Sequence, residues 1–463
     1  MPLITTIGAL SARALGFAKT MITDTYFFLY GGRYETANAF AVGGVIASEQ
    51  GTVIVSATTS SNTRQGTRFN NDGEYISSLQ NDFGSSLPRP YFVTNSPTNP
   101  AWYYPTPGRF VNYTLESAPN TWQLSSPVGG SSGSFSIEID SIAVNSTGVI
   151  AFTTGFQSGK ESFPLIMLYN SSNGAFINGR SVTNGGPATW QYAKIKARTD
   201  NNFVWFRMTG SVFHSWLVSP TSSTPTDPLR YGSGAGDFEG RQAVIDANNN
   251  IYGAGVSSIN NSIDVMRVNS ARAPTHLVRW QITSGIYQGT DAISAGSTSI
   301  AQYGNFVYLA APAITSGGSP TFAHWLLICL NAADLTFAWG KVFSAPGWSG
   351  GNAFAGNLGA GPNGKSMWAT QNGLWMLWAA GPFGSFYQYL NKLPLNGQGI
   401  NGTYSVAGIN ITIADYTPSL SGLQTPFLLT TPGVVSFARS ADFGTNTTLA
   451  SGTNPNAVRV LIG

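Results

Sequence analysis

The chain has 463 residues with a formal net charge of +3, and 9% of them are charged and 13% aromatic. An average soluble domain has about 25% charged residues, while a disordered chain is poor in aromatic residues, so the composition indicates a folded protein with a polar, weakly charged surface. The small net charge gives no support for binding to nucleic acid or to an anionic membrane.

An apolar stretch opens the chain, with the sequence MPLITTIGALSARALGFAKT. Its basic residues Arg13 and Lys19 follow the apolar ones, whereas a signal peptide carries them first, so we expect no secretion signal. The apolar side chains would be exposed in a free monomer and buried in a partner's groove. They are Leu3, Ile4, Ile7, Leu10, Leu15 and Phe17. We predict a docking arm over residues 1–22, with an amphipathic helix capping the protein's own face as the alternative.

Two kinds of β-hairpin then alternate along the chain. The first kind reads VIASEQGTVIVSA, YFVTNSPTNPAWYY, IAVNSTGVIAFTT, IKARTDNNFVWFRM, AVIDANNNIYGAG, SIAQYGNFVYLAA and MWATQNGLWMLWAA. The second kind reads TRFNNDGEYISSLQ, RFVNYTLESAPNTWQL, PLIMLYNSSNGAFINGRSV, HSWLVSPTSSTPTDPLRYG, DVMRVNSARAPTHLVRWQI, HWLLICLNAADLTFAWGKVF and YQYLNKLPLNGQGINGTYSV. Seven pairs of hairpins predict seven four-stranded antiparallel units.

A repeat of about 50 residues with four strands is typical of one blade of a β-propeller. We therefore predict an all-β protein with a seven-bladed β-propeller over residues 23–400, and a pair of β-sandwiches as the alternative. The segment DTYFFLYGG, residues 24–32, could supply the fourth strand of the last blade. Residues 401–463 contain further strands, which either close the ring or form a C-terminal extension.

The sequence gives little support for catalysis, and we predict no enzyme activity, cofactor or metal site. Catalytic and phosphate-binding motifs are missing, and the three histidines follow no metal-ligand spacing. We expect His214, His324 and the single cysteine, Cys329, to be core residues. In DANNN, the spacing of Asp246, Asn248 and Asn250 favours a hairpin turn held by side-chain hydrogen bonds, with a calcium loop as the alternative.

Two aromatic segments are candidates for surface recognition. Trp102, Tyr103 and Tyr104 lie between prolines in NPAWYYPTPG, and Trp348 lies in SAPGWSGGN. We expect them in loops, where exposed aromatic rings stack on sugars or on partner proteins. The alternative is that these rings fill the space between blades.

Two features resemble structural proteins of tailed bacteriophages. Ser11, Ala12 and Arg13, followed by Gly16 and Phe17, resemble the S-A-R-G-x-G-F element near the start of many such proteins, with Ala14 where that element has Gly. The repeats AVIDANNNIYGAG, LYGG and FAWGKVF resemble the propeller repeats that follow that element.

The resemblance implies a virion protein of a phage tail or tail fibre. It would dock through its arm, including Ser11 and Arg13, onto tail, fibre or adaptor subunits, in multiple copies of a symmetric assembly. The propeller would serve as a spacer or as an adhesin for a host-surface glycan or protein. A secreted bacterial propeller, either a lectin or an enzyme, is the alternative.

Overall fold

The computed structural model describes 24 separate stretches of the chain. These are residues 27–33, 42–47, 53–58, 63–82, 91–94, 100–106, 109–114, 122–125, 142–153, 165–172, 175–182, 190–209, 212–231, 239–257, 262–281, 298–314, 323–344, 367–380, 387–406, 409–421, 428–429, 434–437, 450–451 and 457–462. All the secondary-structure elements within them are β-strands. The all-β class predicted from the sequence is therefore confirmed for this part of the chain.

The strands form seven antiparallel sheets, numbered here in chain order. The first described strand is β1 (Phe27–Arg33). Sheet 1 contains β2 (Val42–Ala47), β3 (Val53–Thr58), β4 (Thr63–Phe69) and β5 (Tyr75–Asp82). Sheet 2 contains β6 (Tyr91–Thr94), β7 (Pro100–Thr106), β8 (Arg109–Thr114) and β9 (Trp122–Ser125). Sheet 3 contains β10 (Ile142–Val144), β11 (Val149–Thr153), β12 (Leu165–Asn170) and β13 (Phe176–Val182).

The next four sheets repeat this order. Sheet 4 contains β14 (Trp190–Ala197), β15 (Phe203–Thr209), β16 (Val212–Ser219) and β17 (Ser222–Tyr231). Sheet 5 contains β18 (Glu239–Ile245), β19 (Ile251–Ser257), β20 (Ser262–Val268) and β21 (Pro274–Gln281). Sheet 6 contains β22 (Ser299–Tyr303), β23 (Phe306–Ile314), β24 (Ala323–Asn331) and β25 (Phe337–Ser344). Sheet 7 contains β26 (Met367–Thr370), β27 (Gly373–Ala380) and β28 (Tyr387–Leu393), followed by β1.

Thirteen of the fourteen hairpins predicted from the sequence are confirmed by the strand pairing. The fourteenth, YQYLNKLPLNGQGINGTYSV, is wrong. Its first half is β28, but β28 pairs with β1 through six register partners, from Phe28 with Lys392 to Arg33 with Tyr387. Because β1 occupies that edge, the second half, β29 (Gly402–Val406), pairs instead with β30 (Ile409–Asp415) at the edge of sheet 6. Residues 27–32 of DTYFFLYGG thus lie in the fourth strand of the last sheet, as predicted.

The hydrophobic core lies between neighbouring sheets. One cluster combines Phe69 of sheet 1, Trp325 of sheet 6 and Trp375 of sheet 7. Other clusters join sheets 5 and 6, sheets 4 and 5, and sheets 3 and 4. Since a sheet covered on both faces must bury both sets of side chains, its inner strands are nearly continuous apolar runs, as in FVYLAA of β23 and LWML of β27.

The first strands of consecutive sheets contact one another. These contacts join β2 to β6, β6 to β10, β10 to β14, β14 to β18, β18 to β22 and β22 to β26, and β26 also contacts β2. The arrangement is β-propeller-like, with the first strand of each sheet innermost and the fourth strand towards the periphery.

Candidate interaction surfaces

A peripheral segment, residues 409–462, adds an outer strand to six of the seven sheets. Its strands after β30 are β31 (Ser419–Ser421), β32 (Leu428–Leu429), β33 (Val434–Phe437), β34 (Ala450–Ser451) and β35 (Ala457–Ile462). In chain order, β30 to β35 pair with sheets 6, 5, 4, 3, 1 and 7. The segment therefore runs backwards from sheet 6 to sheet 3, passes over sheet 2 to sheet 1, and ends on sheet 7. The sequence did not predict this arrangement.

Specific contacts hold the start of the peripheral segment. The backbone N–H of Tyr416 donates to the carbonyl of Gly340 at 3.0 Å, and the Tyr416 hydroxyl accepts the indole N–H of Trp280 at 3.1 Å. A Cβ at residue 340 would collide with the carbonyl oxygen of Tyr416, so the close approach of the two strands requires glycine. Tyr416 thereby joins β25 of sheet 6 to β21 of sheet 5.

A second surface, called here the turn face, contains the described turns between the first and second strands of the sheets and, in sheets 1 to 6, between the third and fourth strands. These turns lie at one end of each sheet because the strands are antiparallel. Their recurring device is an Asx side chain that accepts backbone N–H groups. Asp246 Oδ1 accepts from the N–H of Asn248 and of Asn250, both at 2.8 Å. The hairpin turn predicted for DANNN is confirmed.

Side chains on the turn face also join neighbouring sheets. Asn145 Nδ2 of sheet 3 donates to the carbonyl of Asn201 in sheet 4 at 2.8 Å. Asn249 of sheet 5 exchanges two bonds with Thr199 of sheet 4, at 2.7 and 2.9 Å. Asn201 and Asn249 have left-handed φ angles of 66° and 63°, a conformation that Asn adopts more readily than most residues. The abundance of Asn in the turns therefore serves both the turn geometry and the joints between sheets.

Tyrosine side chains extend these joints around the later sheets. The Tyr252 hydroxyl of sheet 5 lies 3.2 Å from the carbonyl oxygen of Ala332 in sheet 6. The Tyr308 hydroxyl of sheet 6 donates to the carbonyl of Leu395, after β28, at 3.1 Å. Burial is the main cause that raises the pKa of both phenols. Both phenols therefore stay neutral and keep the proton that they donate.

One buried ion pair lies within sheet 5, towards the end opposite the turn face. Asp264 of β20 is fully buried and accepts from Arg279 Nε of β21 at 3.0 Å and from Ser262 Oγ at 2.6 Å. The two charged residues are direct cross-strand partners. A buried charge requires such pairing, so each of the two residues compensates the charge of the other inside the sheet.

The predicted core residues are placed as expected where their side chains are described. Cys329 is fully buried, and its burial raises the pKa of the thiol, which makes it an unreactive core residue. His214 is buried and stacks on Trp216, with ring centroids 5.6 Å apart. The side chain of His324 lies outside the described residues. Within the part of the chain that the structure describes, no group of three or more His, Cys, Asp or Glu side chains could hold a metal ion.

The predicted recognition residues lie partly outside the described residues. Trp348 and the whole predicted arm, residues 1–22, belong to the undescribed part. Trp102, Tyr103 and Tyr104 lie in β7, between β6 and β8, and not in a loop as we expected. Trp102 is the register partner of Phe92 and of Tyr113, so backbone pairing on both sides fixes its position. A role for these aromatic residues in recognition stays a prediction.

The first described residue of the chain, Phe27, lies at the end of β1 that faces the turn face. Phe28 pairs with Lys392 near the end of β28 that leads into the turn at Pro394, and Phe27 pairs with Ile462 of β35. The described structure therefore begins in the outer part of sheet 7, beside the last peripheral strand. None of the described residues form a helix long and apolar enough to cross a membrane.

No protein-family model matches the chain, and no curated protein matches it. The solved structures that are similar to it at low identity include the following three. The Dos1 propeller has 9% identity and a TM-score of 0.37, over 75% of this chain and 78% of that one. A protein of unknown function from Desulfotomaculum acetoxidans has 12% identity and a TM-score of 0.35, over 70% and 90%. The polysaccharide lyase Uly1 has 10% identity and a TM-score of 0.44, over 76% and 90%. These likenesses carry no inference about function.

Proposed function

We propose that the seven sheets are the blades of one closed β-propeller. Three observations support this: the contacts between first strands that return from β26 to β2, the core clusters shared by neighbouring sheets, and the bond from Lys392 of sheet 7 to Asn71 of sheet 1. Electron microscopy of the purified protein tests the proposal. A closed ring with seven radial blades is expected, and an open or two-lobed particle would contradict it.

We propose further that the protein is a non-catalytic structural component of a phage virion, in the tail or a tail fibre. The observation that carries this proposal is the peripheral segment, which ties sheets 6, 5, 4, 3, 1 and 7 together by strand pairing. Only residues 416–418 separate β30 from β31, so moving sheets 6 and 5 far apart at the periphery requires peeling one of these strands from its sheet. Such a construction suits a module that transmits force between partners in a particle.

The arm supplies the docking element of this proposal. It carries apolar side chains at Leu3, Ile4 and Ile7, and it precedes β1, which lies in the outer part of sheet 7 and begins at the turn face. An apolar segment outside a self-contained domain gains free energy by burial in a partner's groove, at roughly 25 cal/mol per Å² of apolar surface. The proposed partners are other tail, fibre or adaptor subunits.

Deleting residues 1–22 tests the docking arm. The truncated protein should fold, because β1 begins at Phe27, but it should be lost from purified phage particles when their composition is measured by mass spectrometry. A variant with Leu3, Ile7 and Leu10 replaced by Ser is the matched control for the apolar contribution and should give the same loss. Incorporation of the deletion variant at the normal copy number would contradict docking through the arm. Absence of the full-length protein from particles would overturn the virion proposal itself.

A host-binding role of the displayed domain is a separate part of the proposal. Binding of the isolated protein to host cells should fall when Trp102 and Tyr104 are replaced by Ala, with the folded state verified by circular dichroism. The same substitutions should leave incorporation into particles unchanged. Unchanged cell binding would contradict host recognition by these residues, and only the spacer role would remain.

A further inference from the structure

Three side chains of complementary chemistry meet where the peripheral segment begins. Lys341 lies on β25, Asp415 is the last residue of β30, and Asn401 directly precedes β29. The strand order is β25-β30-β29, and Lys341 is the register partner of Asp415. Lys341 and Asp415 therefore lie side by side on neighbouring strands, and Asn401 lies next to them at the start of the third strand.

The distances between the three groups form a closed triangle. Lys341 Nζ lies 2.5 Å from Asp415 Oδ1 and donates to Asn401 Oδ1 at 2.7 Å. Asn401 Nδ2 donates to the second carboxylate oxygen, Asp415 Oδ2, at 3.0 Å. The carboxylate thus contacts both the amine and the amide nitrogen, while the amide oxygen contacts the amine.

We propose that Lys341 and Asn401 form an intramolecular isopeptide bond, with Asp415 as the proton-transfer group. The amine nitrogen of Lys341 contacts Asn401 Oδ1. It would attack Asn401 Cγ, the carbon bonded to that oxygen. Holding two reactants at contact distance in a fixed geometry removes much of the entropic cost of their reaction. The three groups are already placed by strand pairing, so no other molecule is required.

The proton balance of the reaction closes within the triangle. Asp415 Oδ1 takes one proton from the Lys341 ammonium, and the neutral amine attacks Asn401 Cγ to give a tetrahedral intermediate. The bond from Cγ to Nδ2 then breaks. The new amide nitrogen keeps one of the three protons of the Lys341 ammonium. The other two join the departing Nδ2 group, which leaves as an ammonium ion. Asp415 delivers one of these two protons through Oδ2. The products are one amide bond between the two side chains and one ammonium ion.

The surroundings of the triangle suit this sequence of steps. Lys341 is 5% exposed, so its stem is packed and its amine has little freedom to turn away. Asp415 and Asn401 are exposed, which gives the leaving ammonia a path to solvent. The hydrogen bond from Lys341 is the largest cause that lowers the pKa of the Asp415 carboxyl, followed by the bond from Asn401. The carboxylate is therefore ionised at neutral pH, the form that holds the Lys341 ammonium and the Asn401 amide in place.

The bond would fasten the peripheral segment to the body of the protein at its origin. It would close a loop of 60 residues between β25 and the start of β29. Cross-links of this kind stabilise a fold by restricting the unfolded chain. They also make the junction between sheet 6 and the β29–β30 hairpin resistant to mechanical separation.

Mass spectrometry of the full chain, purified and kept at neutral pH, tests the proposal. We expect an intact mass lower than the sequence mass by one ammonia, and a branched tryptic peptide that joins Lys341 to Asn401 and is uncleaved after Lys341. The variants Lys341→Arg and Asn401→Ala should show the full sequence mass and a melting temperature lower by a few degrees. Asp415→Asn should slow bond formation about a hundredfold.

Two results would overturn the proposal. One is the unchanged sequence mass in the wild-type chain after prolonged incubation. The other is loss of ammonia without the branched peptide, because ring closure at the Asn401–Gly402 pair also releases ammonia but joins no second peptide. Lys341→Arg separates these reactions, since it keeps a cation opposite Asp415 yet abolishes only the isopeptide bond. If that variant fails to fold, the tryptic digest of the wild-type chain separates the two reactions, because only the isopeptide bond joins Lys341 to a second peptide.

Discussion

Lys392 Nζ lies 3.1 Å from the carbonyl oxygen and 3.0 Å from the side-chain oxygen of Asn71, a residue 321 positions earlier in the chain. Lys392 is fully buried in β28, and its amine also lies 5.5 Å from the ring centroid of Trp375. Asn71 lies in the turn between β4 and β5. One lysine therefore joins the last sheet to the first at the turn face.

Replacing Lys392 with Met should lower the free energy of unfolding by about 2–3 kcal/mol, because hydrogen bonds from a charged donor are lost and the half-buried acceptors of Asn71 are left unpaired. Gln398→Met is the control, since Gln398 is an exposed polar residue in the segment that follows β28, and it should change stability by less than about 0.5 kcal/mol. Denaturant unfolding measures both. Equal effects of the two variants would show that the joint between sheets 7 and 1 contributes nothing.

The buried hydroxyl of Tyr231 should make the folded state less stable at alkaline pH. Its hydroxyl donates to the carbonyl of Arg272 at 3.0 Å and contacts Ser215 Oγ at 2.8 Å. Burial raises the pKa of Tyr231 from 10.0 to about 12. A raised pKa means that the stabilisation is complete below pH 10 and is lost as the pH rises towards 12.

Thermal unfolding between pH 9 and pH 12 checks this prediction. The variant Tyr231→Phe should be less stable by about 1–2 kcal/mol at neutral pH, because the carbonyl of Arg272 loses its donor. It should also lose less stability than the wild type between pH 10 and pH 12. Parallel alkaline curves for the two proteins would contradict the assignment.

Gly340→Ala should loosen the start of the peripheral segment. The added Cβ would collide with the Tyr416 carbonyl, and relieving that collision separates β25 from the link between β30 and β31. Overpacking of this kind costs about 1–3 kcal/mol. Limited proteolysis should cut the variant faster after residue 416 than the wild type. Gly304→Asn is the control, because the site is open, its φ of 55° suits Asn, and cleavage should not change.

Removing peripheral strands should lower stability in steps. Deleting residues 457–463 removes β35 from sheet 7 alone, whereas deleting residues 422–463 also uncovers the outer strands of sheets 4, 3 and 1. Unpaired edge strands are templates for association, so the longer deletion should show a lower melting temperature and more aggregate in size-exclusion chromatography. Equal melting temperatures and equal amounts of aggregate for the two deletions would show that the strands β32 to β34 contribute little to the stability of the fold.

Local sequence patterns were enough to predict most of the strand pairing. A hairpin such as AVIDANNNIYGAG carries its own apolar runs, turn residues and register, all within a few residues. The same holds for Asp246, whose spacing from Asn248 and Asn250 predicted the hydrogen-bonded turn. Burial of Cys329 followed from the apolar run around it. Each of these features depends on neighbours in the chain.

The sequence by itself thus determined the all-β class, the alternation of two hairpins and the assignment of DTYFFLYGG to the last sheet, but not its pairing with YQYLNKL. The tertiary structure alone decided the rest. Short strands such as β32 and β34 are two residues long, too short to leave a periodic signal, and they form because a sheet edge is already present. The path of the peripheral segment, the joint between Lys392 and Asn71, and the triangle of Lys341, Asn401 and Asp415 depend on residues far apart in the chain, which no local pattern relates.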